Sequence, residues 1–165
     1  MSNPSIRSAL LSDLPAVEEI ENCCFSVSRR SSRRALRHSL ISKTQSVWLS
    51  TTCVDGVEKV SGAMVLYHHR LSIRIYSLAV LPAFRGVGAG RQLVHFAIEL
   101  ARQTERVSVT LEADRRDAVL TRWYEGFGFN TYRVLQDYYS VGRHAVRMRL
   151  WLKPALKGGR VRGCS

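Results

Sequence analysis

The chain has 165 residues, enough for one domain with a single hydrophobic core, and its 45% of hydrophobic and 23% of charged residues are ordinary for a folded globular protein. Its formal charge of +12 is unusual, because a field of that sign attracts polyanions such as nucleic acid, ribosomes or a multiply phosphorylated small molecule. No stretch is long and apolar enough to span a membrane and the start lacks the pattern of a secretory signal, so we expect no membrane partner and a cytoplasmic location.

The first part of the chain predicts a short strand and an amphipathic helix. Residues 5–10 are typical of the strand, and Ser12-Asp13-Leu14-Pro15 supplies a cap and an early proline for the helix. Val17, Ile20 and Cys24 form the apolar face of this helix. Its acidic residues are Glu18, Glu19 and Glu21. They form either a solvated face or an acidic wall that meets a positively charged group.

A second predicted helix, which continues through Leu40 and Ile41, begins in the densest basic part of the sequence. The arginines of this basic cluster are Arg29, Arg30, Arg33, Arg34 and Arg37. The cluster is either a solvated face or a surface that binds a ribosome or another polyanion.

Three strands follow the second helix. Residues 45–54 and 57–67 are rich in Val, Thr and Trp, and the Asp55-Gly56 pair between them is a strong signal for a hairpin. Residues 71–81 form the third strand. The adjacent histidines at positions 68 and 69 lack a third ligand in register, and the cysteines show no metal-binding spacing. We therefore predict no metal.

A glycine-rich turn separates the strand at 71–81 from a helix that carries Leu93 and Ala97. The turn runs from Arg85 to Arg91 and contains Gly86, Gly88 and Gly90. Such a turn lets backbone amides converge at the positive end of the following helix, which suits a phosphate or pyrophosphate. A dinucleotide site would need glycine in place of Arg91, and the Gly-Lys-Ser/Thr of a P-loop is absent. The turn is either a plain connection or a phosphate site of another kind.

The C-terminal part predicts a strand at 107–113, a helix at 117–126 and a strand at 127–134. Residues 137–139 and 145–152 are typical of a last strand pair around a glycine turn. We predict an α+β fold, a central mixed, mostly antiparallel sheet flanked by helices, in a single domain of residues 1–152. Residues 153–165 are rich in glycine and basic residues and are predicted to be a mobile basic tail.

The motif Arg-x-x-Gly-x-Gly, filled by Arg85, Gly88 and Gly90 directly after a strand, resembles the acetyl-coenzyme A site of the GNAT superfamily of N-acetyltransferases. Three more segments resemble the bacterial ribosomal-protein alanine N-acetyltransferases, a subgroup of that superfamily. These segments are Leu111-Glu112, residues 123–129 with the sequence Trp-Tyr-Glu-Gly-Phe-Gly-Phe, and the ending Asp137-Tyr138-Tyr139 with Gly142, Ala145, Met148 and Leu150. The resemblance covers nearly all of residues 5–152 and implies a GNAT-like sheet.

The resemblance also implies an activity and its residues. The chain would move an acetyl group from acetyl-CoA, its co-substrate, to a primary amine, with a protein or peptide N-terminal α-amine as the favoured acceptor. Glu112 would be the general base, acting through water, and Tyr124 the acid that protonates the coenzyme A sulfur. The N–H of Val80 would hold the thioester carbonyl, and the turn amides would hold the pyrophosphate. The implied cofactor-binding residues are Leu78, Ala79, Val80, Arg85, Gly86, Val87, Gly88, Ala89, Gly90 and Arg91.

Several alternatives stay open. Tyr124 is otherwise a core tyrosine, and Glu112 otherwise ends a strand beside an arginine. Asp117 stands where the subgroup usually carries Asn. Deprotonating an α-amine at pH 7 costs about 1 to 1.5 kcal/mol against about 4.6 for a lysine, which favours N-termini. The alternative functions are a small-molecule amine acetyltransferase and a non-catalytic basic module that binds RNA or the ribosome; the oligomeric state is left open.

Overall fold

Seven β-strands form one mixed sheet in residues 4–153, the part of the chain that the computed structural model describes. The strands are β1 (Ser5–Ser8), β2 (Gln45–Val54), β3 (Val57–His68), β4 (Ser72–Val80), β5 (Ser108–Asp114), β6 (Asn130–Ser140) and β7 (Arg143–Trp151). Their order is β1-β2-β3-β4-β5-β7-β6, and every neighbouring pair is antiparallel except the parallel pair β4 and β5. The expected α+β fold with a mixed, mostly antiparallel sheet is confirmed.

The α-helices of residues 4–153 pack on both faces of the sheet. They are α1 (Leu14–Cys24), α2 (Arg33–Ile41), α3 (Ala89–Gln103) and α4 (Ala118–Glu125). The buried residues of α1 and α2 form one hydrophobic cluster with β2 and β3, and those of α3 form another with β3, β4, β5 and β7. β3 contributes to both clusters, Ala63 and Val65 to the first and Met64 and Leu66 to the second, because successive side chains of a strand point to opposite faces.

Local signals predicted the β2–β3 hairpin correctly and the last strands less well. Asp55 and Gly56 join β2 and β3 with φ of 51° and 77°, the left-handed conformations that a tight hairpin turn requires. The expected strand at 127–134 and the segment at 137–139 were predicted as separate, but they fall in one continuous strand, β6, which begins only at Asn130; their separation was wrong. The β6–β7 register shifts between Leu135 and Ser140, and Asp137 has a φ of 49°. The irregularity looked like a strand boundary in the sequence.

β4 and β5 are paired over only part of their length. Their ladder stops at Ile75 and Leu111, although both strands continue for several residues. Beside this point the β3–β4 register shifts and leaves Tyr76 out of the ladder. A bulge of this kind bends its strand. The C-terminal ends of β4 and β5 therefore part and leave a gap in the sheet, which we call the β4–β5 gap.

The predicted basic tail, residues 153–165, lies outside the described residues except for Lys153. The domain boundary at residue 152 therefore stays a prediction. Among residues 4–153, no helix is long and apolar enough to cross a membrane.

Candidate active site

A cavity of about 730 Å³ opens at the β4–β5 gap. Three of the predicted site residues line it: Leu78 on β4, Glu112 on β5 and Tyr124 on α4. Glu21 of α1 lines the same cavity from the other side of the gap. The cavity volume is within the range of small-molecule sites, about 300 to 1,000 Å³. The fold thus brings both predicted catalytic side chains to one cavity.

Glu112 is held by two arginines. Its side chain is 5% exposed; Oε1 accepts a hydrogen bond from Arg147 Nε at 2.7 Å, and Oε2 accepts one from Arg74 Nε at 2.8 Å. Arg147 lies directly opposite Glu112 in the β5–β7 ladder, and Arg74 lies on β4. Each carboxylate oxygen has a second lone pair, so the carboxylate retains acceptor capacity for a water or an amine. The sequence analysis did not identify either arginine, since neither is near Glu112 in the chain.

Tyr124 is buried and its hydroxyl has no hydrogen-bond partner among the described residues. The residue is 6% exposed, and its ring makes edge contacts with those of Trp123 and Phe129. Burial raises the pKa of the Tyr124 hydroxyl well above its ordinary value, and Tyr139 raises it further. The group therefore stays protonated and can act only as a proton donor near neutral pH.

The acidic residues of α1 divide between two environments. Glu18 forms an exposed ion pair with Arg33, and Glu19 is exposed. Glu21 is 5% exposed, and its carboxylate accepts hydrogen bonds from the backbone N–H of Ser31 at 3.0 Å and from Ser77 Oγ at 3.4 Å. Burial raises the pKa of the Glu21 carboxyl. The interpretation as a solvated face therefore describes Glu18 and Glu19. It does not describe Glu21, whose carboxylate lies in the wall of the cavity.

The other carboxylates of the cavity wall are already bound. Asp114 is buried and accepts a hydrogen bond from Arg143 Nε at 2.7 Å. Asp117 caps α4, because its side chain accepts from the backbone N–H of Leu120 at 2.9 Å. The departure at position 117 therefore has a structural role as an N-cap. Within residues 4–153 no group of three or more potential metal ligands occurs.

The glycine turn adopts the conformation that its glycines allow. Gly86 and Gly88 have φ of 81° and 94°, and Gly88 is the N-cap of α3. Gln92 donates the first helical hydrogen bond, to Gly88, so the N–H groups of the three residues before it have no helical partner. The turn is exposed from Arg85 to Gly88. These amides at the positive end of a helix can bind an anion.

The end of β4 connects the turn to the cavity. Leu81 donates its N–H to Ser61 O of β3 at 2.9 Å. Successive residues of an antiparallel strand direct their backbone N–H and C=O groups to opposite sides. The N–H and C=O of Val80 therefore point away from β3, towards the gap. Val80 O accepts from Arg85 Nε at 3.0 Å and from Cys24 Sγ at 3.5 Å. The Arg85 side chain is therefore folded back onto the strand.

The remaining predicted cofactor residues surround this strand end without lining the cavity. The side chain of Ala79 packs in the hydrophobic cluster of α1 and α2, on the face away from the turn. An added Cβ at Gly90 would lie 3.6 Å from the ring of Trp123, which lines the cavity. Arg91 stacks over Phe127, with 5.4 Å from its guanidinium carbon to the ring centroid. Only Leu78 of the predicted cofactor residues belongs to the cavity wall itself.

The arginines of the basic cluster are all exposed and differ in their contacts. Arg29 lies over the ring of Tyr139 at 4.3 Å in the cavity wall. Arg30 donates to two backbone carbonyls at the end of α1, those of Asn22 at 2.7 Å and Phe25 at 2.8 Å. Arg33 is paired with Glu18. Three of the five arginines therefore make contacts within the fold.

Comparison with known proteins gives a family model and a set of similar folds. The chain matches the model of the acetyltransferase (GNAT) family over residues 14–129. No curated protein matches it by sequence. The fold is similar to the ribosomal-protein-S18-alanine N-acetyltransferase from Escherichia coli, with a TM-score of 0.81 and 21% identity over 94% of this chain and 97% of that one. It is also similar to Ard1 from Thermoplasma volcanium (TM-score 0.77, 25% identity, 92% and 99% covered) and to Arabidopsis thaliana NAA60 in complex with a bisubstrate analogue (0.79, 14%, 92% and 99%).

Proposed function

Because the chain belongs to the acetyltransferase (GNAT) family and is an acetyl-CoA-dependent N-acetyltransferase, we propose that it acetylates the N-terminal α-amine of a protein or peptide. The observation that carries this proposal is the single cavity that contains Tyr124, Glu112 and Glu21. The resemblance of its motifs to the ribosomal-protein alanine N-acetyltransferase subgroup supports the same acceptor class, as do similar folds whose names include protein-modifying enzymes.

The residues at the end of β4 fit acetyl-CoA. The amides at the start of α3 that have no helical partner suit its pyrophosphate, and an added Cβ at Gly86 or Gly88 would meet no atom within 4 Å, so the space beside the turn is open. We propose that Val80 binds the thioester carbonyl through its N–H. Bound acetyl-CoA supplies an activated acetyl group and a thiol leaving group.

We propose that Glu112 and Tyr124 handle the two protons of the transfer. Glu112 takes a proton from the acceptor ammonium through a water, so that the neutral nitrogen can form the new C–N bond. Tyr124 gives its proton to the sulfur as the C–S bond breaks, and the second proton of the newly acylated nitrogen passes to the Tyr124 oxygen and restores its hydroxyl. The raised pKa keeps the Tyr124 hydroxyl protonated at neutral pH, the state that a proton donor needs, and the two arginines fix the orientation of the Glu112 carboxylate.

Replacing Glu112 with glutamine should make the rate strongly pH-dependent. At pH 7 about a tenth of an α-amine is neutral, so we expect kcat/KM to fall about 10- to 100-fold there and to recover to within about tenfold at pH 9, where the amine loses its proton unaided. The measurement is the pH profile of kcat/KM with an N-terminal peptide.

Asp114→Asn is the matched control, since Asp114 lies on the same strand, lines the same cavity and is paired with one arginine. This variant removes the same charge, and any loss in its kcat/KM should not be restored by raising the pH. A Glu112→Gln profile parallel to that of the parent would assign Glu112 a purely structural role.

Glu21 supplies the binding site for the acceptor ammonium in this proposal. Three buried carboxylates line the cavity, Glu21, Glu112 and Asp114; the last two are ion-paired with arginines, whereas Glu21 accepts hydrogen bonds only from neutral groups among the described residues. The Arg30 guanidinium acts on Glu21 only electrostatically, because its hydrogen bonds go to backbone carbonyls, and burial outweighs its effect. A positively charged acceptor would provide a directly bonded cation.

Replacing Glu21 with glutamine should stabilise the protein and weaken acceptor binding together. Burial raises the pKa of Glu21, so the folded state binds its proton more tightly than the unfolded chain, and the free energy of unfolding falls as the pH rises through the raised pKa. We therefore expect a higher Tm at pH 7, with the difference vanishing near pH 4, and a KM for the peptide increased by about 10- to 100-fold.

The control is Glu19→Gln on the exposed face of α1, which should change neither quantity. A variant of Glu21 with a higher Tm but an unchanged KM would show that the carboxylate does not contact the acceptor.

A panel of acceptors tests the function itself. At saturating acetyl-CoA, N-terminal peptides should be acetylated faster than N-acetylated peptides with an internal lysine and faster than polyamines. Preference for small amines would favour the alternative, a small-molecule acetyltransferase.

Ribosome or polyanion binding through the basic cluster has little support, because three of its five arginines are engaged in the fold. A cytoplasmic location stays part of the proposal, in line with the thiols of Cys23 and Cys24.

A further inference from the structure

A second cavity lies beside the first, against α2. Its volume is about 310 Å³, and its wall includes Arg34 and His38 of α2 and the rings of Tyr67 and Tyr76. The two rings are stacked, with centroids 4.6 Å apart and planes 9° from parallel, so they form a flat apolar side of the cavity. Arg34 and His38 are exposed and make no hydrogen bond or ion pair with the described residues.

The two cavities differ in the carboxylates that line them, although arginines line both. The buried carboxylates of the first cavity include Glu21, while no aspartate or glutamate lines the second. The ionisable groups in the wall of the second cavity are the guanidinium of Arg34, the imidazole of His38 and the two tyrosine hydroxyls. A carboxylate is the group that such a wall would attract.

The cavities are also adjacent. Ser31 and Tyr76 line both of them, and the backbone N–H of Ser31 donates to the Glu21 carboxylate at 3.0 Å. A chain bound by its ammonium at Glu21 would therefore pass the second cavity within its first residues, because an extended peptide advances about 3.3 to 3.6 Å per residue.

We infer that the second cavity binds an acidic side chain at the second or third position of the acceptor peptide, and that it selects acidic N-terminal sequences. This inference rests on the proposed α-amine acceptor. A peptide is favoured over RNA because only Arg34 and Arg37 of the basic cluster lack contacts within the described fold, and polyanion binding draws its affinity from many neutralised phosphates.

Matched peptides test the selection. Each would begin with alanine and differ only in having glutamate or glutamine at position 2 or position 3, and rates would be measured at saturating acetyl-CoA. The glutamate peptide should have a KM about fivefold lower at one of the two positions, with kcat within about twofold, since an exposed ion pair contributes a factor of this size. Equal KM values for all glutamate and glutamine peptides would overturn the inference.

Two variants of α2 locate the effect. Arg34→Gln should remove most of the preference for glutamate and leave the KM for acetyl-CoA and for the glutamine peptides unchanged. Arg37→Gln removes the same charge from an exposed position that does not line the cavity, and should keep the preference. Arg34→Glu should reverse the preference towards a lysine at the same position. If both variants lost the preference for glutamate equally, the preference would depend on the overall positive charge of α2 rather than on the second cavity, and the inference would be overturned.

Two further outcomes separate this inference from the proposed function. If no peptide is acetylated while small amines are, the proposed acceptor class is wrong and the inference is overturned with it. If neutral and acidic peptides are acetylated equally, and Arg34→Gln instead weakens the binding of a single-stranded RNA and lowers its salt dependence, the α2 surface is a polyanion site and only the inference is overturned.

Discussion

Replacing Tyr124 with phenylalanine should lower kcat by about 10² to 10⁴ and leave the KM for acetyl-CoA nearly unchanged, the range that general acid catalysis contributes. The substitution keeps the ring contacts with Trp123 and Phe129 and removes a hydroxyl that has no hydrogen-bond partner in residues 4–153. Stability should therefore be retained. The loss should be partial, because a thiolate with a pKa near 8.5 is a tolerable leaving group without the proton.

The pH dependence of kcat provides a second measurement. Since burial raises the pKa of Tyr124, the hydroxyl stays protonated and kcat of the parent should not fall between pH 8 and about pH 10 on its account. Tyr132→Phe, an exposed position on β6 outside the cavity, is the control and should behave as the parent. If Tyr124→Phe reaches the parental rate while chemistry is shown to be rate-limiting, Tyr124 is a packing residue and the proton comes from another group.

Replacing Gly88 with valine should abolish detectable acetyl-CoA binding. Gly88 has a φ of 94° at the start of α3, a conformation that a β-branched residue adopts only with strain of about 1 to 3 kcal/mol. Because a Cβ there would point into open space, its methyl groups would also occupy the region before the turn amides. The measurement is the change in Tm caused by acetyl-CoA, together with direct calorimetry.

Gly56→Val is the matched control for Gly88→Val. Gly56 has a φ of 77° in the β2–β3 hairpin and likewise has no atom within 4 Å of an added Cβ, and it does not line either cavity. Both variants should lose similar stability, and only the Gly56 variant should keep the acetyl-CoA shift. Undiminished binding by a folded Gly88 variant would place the pyrophosphate elsewhere.

Features of the fold that depend on neighbouring residues were predictable from the sequence. The Asp55-Gly56 hairpin and the strand–turn–helix around Gly88 are fixed by backbone conformations that few residues adopt, so short motifs identified them. The burial of Glu21 also had a local signal. It lies four residues after Val17 and three before Cys24, on the apolar stripe of α1, so helical spacing alone could have separated it from Glu18 and Glu19.

Features that depend on the pairing of distant strands could not be predicted in the same way. The two ion pairs of Glu112 require Arg147 to lie opposite it in the β5–β7 ladder and Arg74 to reach it from β4. No residue near Glu112 in the chain specifies that strand register. The β4–β5 gap depends on a bulge at Tyr76, which leaves no distinct mark in the sequence. The second cavity likewise combines residues from separate elements, so Arg34 could not be distinguished from the other arginines of the basic cluster.

Beyond the short β4–β5 ladder, the gap separates the ends of the first four strands of the sheet from those of the last three, and α3 packs against both groups. The inner residues of α3, such as Ala97 and Leu93, share one hydrophobic cluster with Met64 of β3 and with Leu111 and Met148 of β5 and β7. The width of the opening therefore depends on how the two groups of strands pack against α3. A larger side chain at Ala97 would push apart the strands that pack on α3, so a substitution in the core, away from the cavity wall, would change the width of the opening.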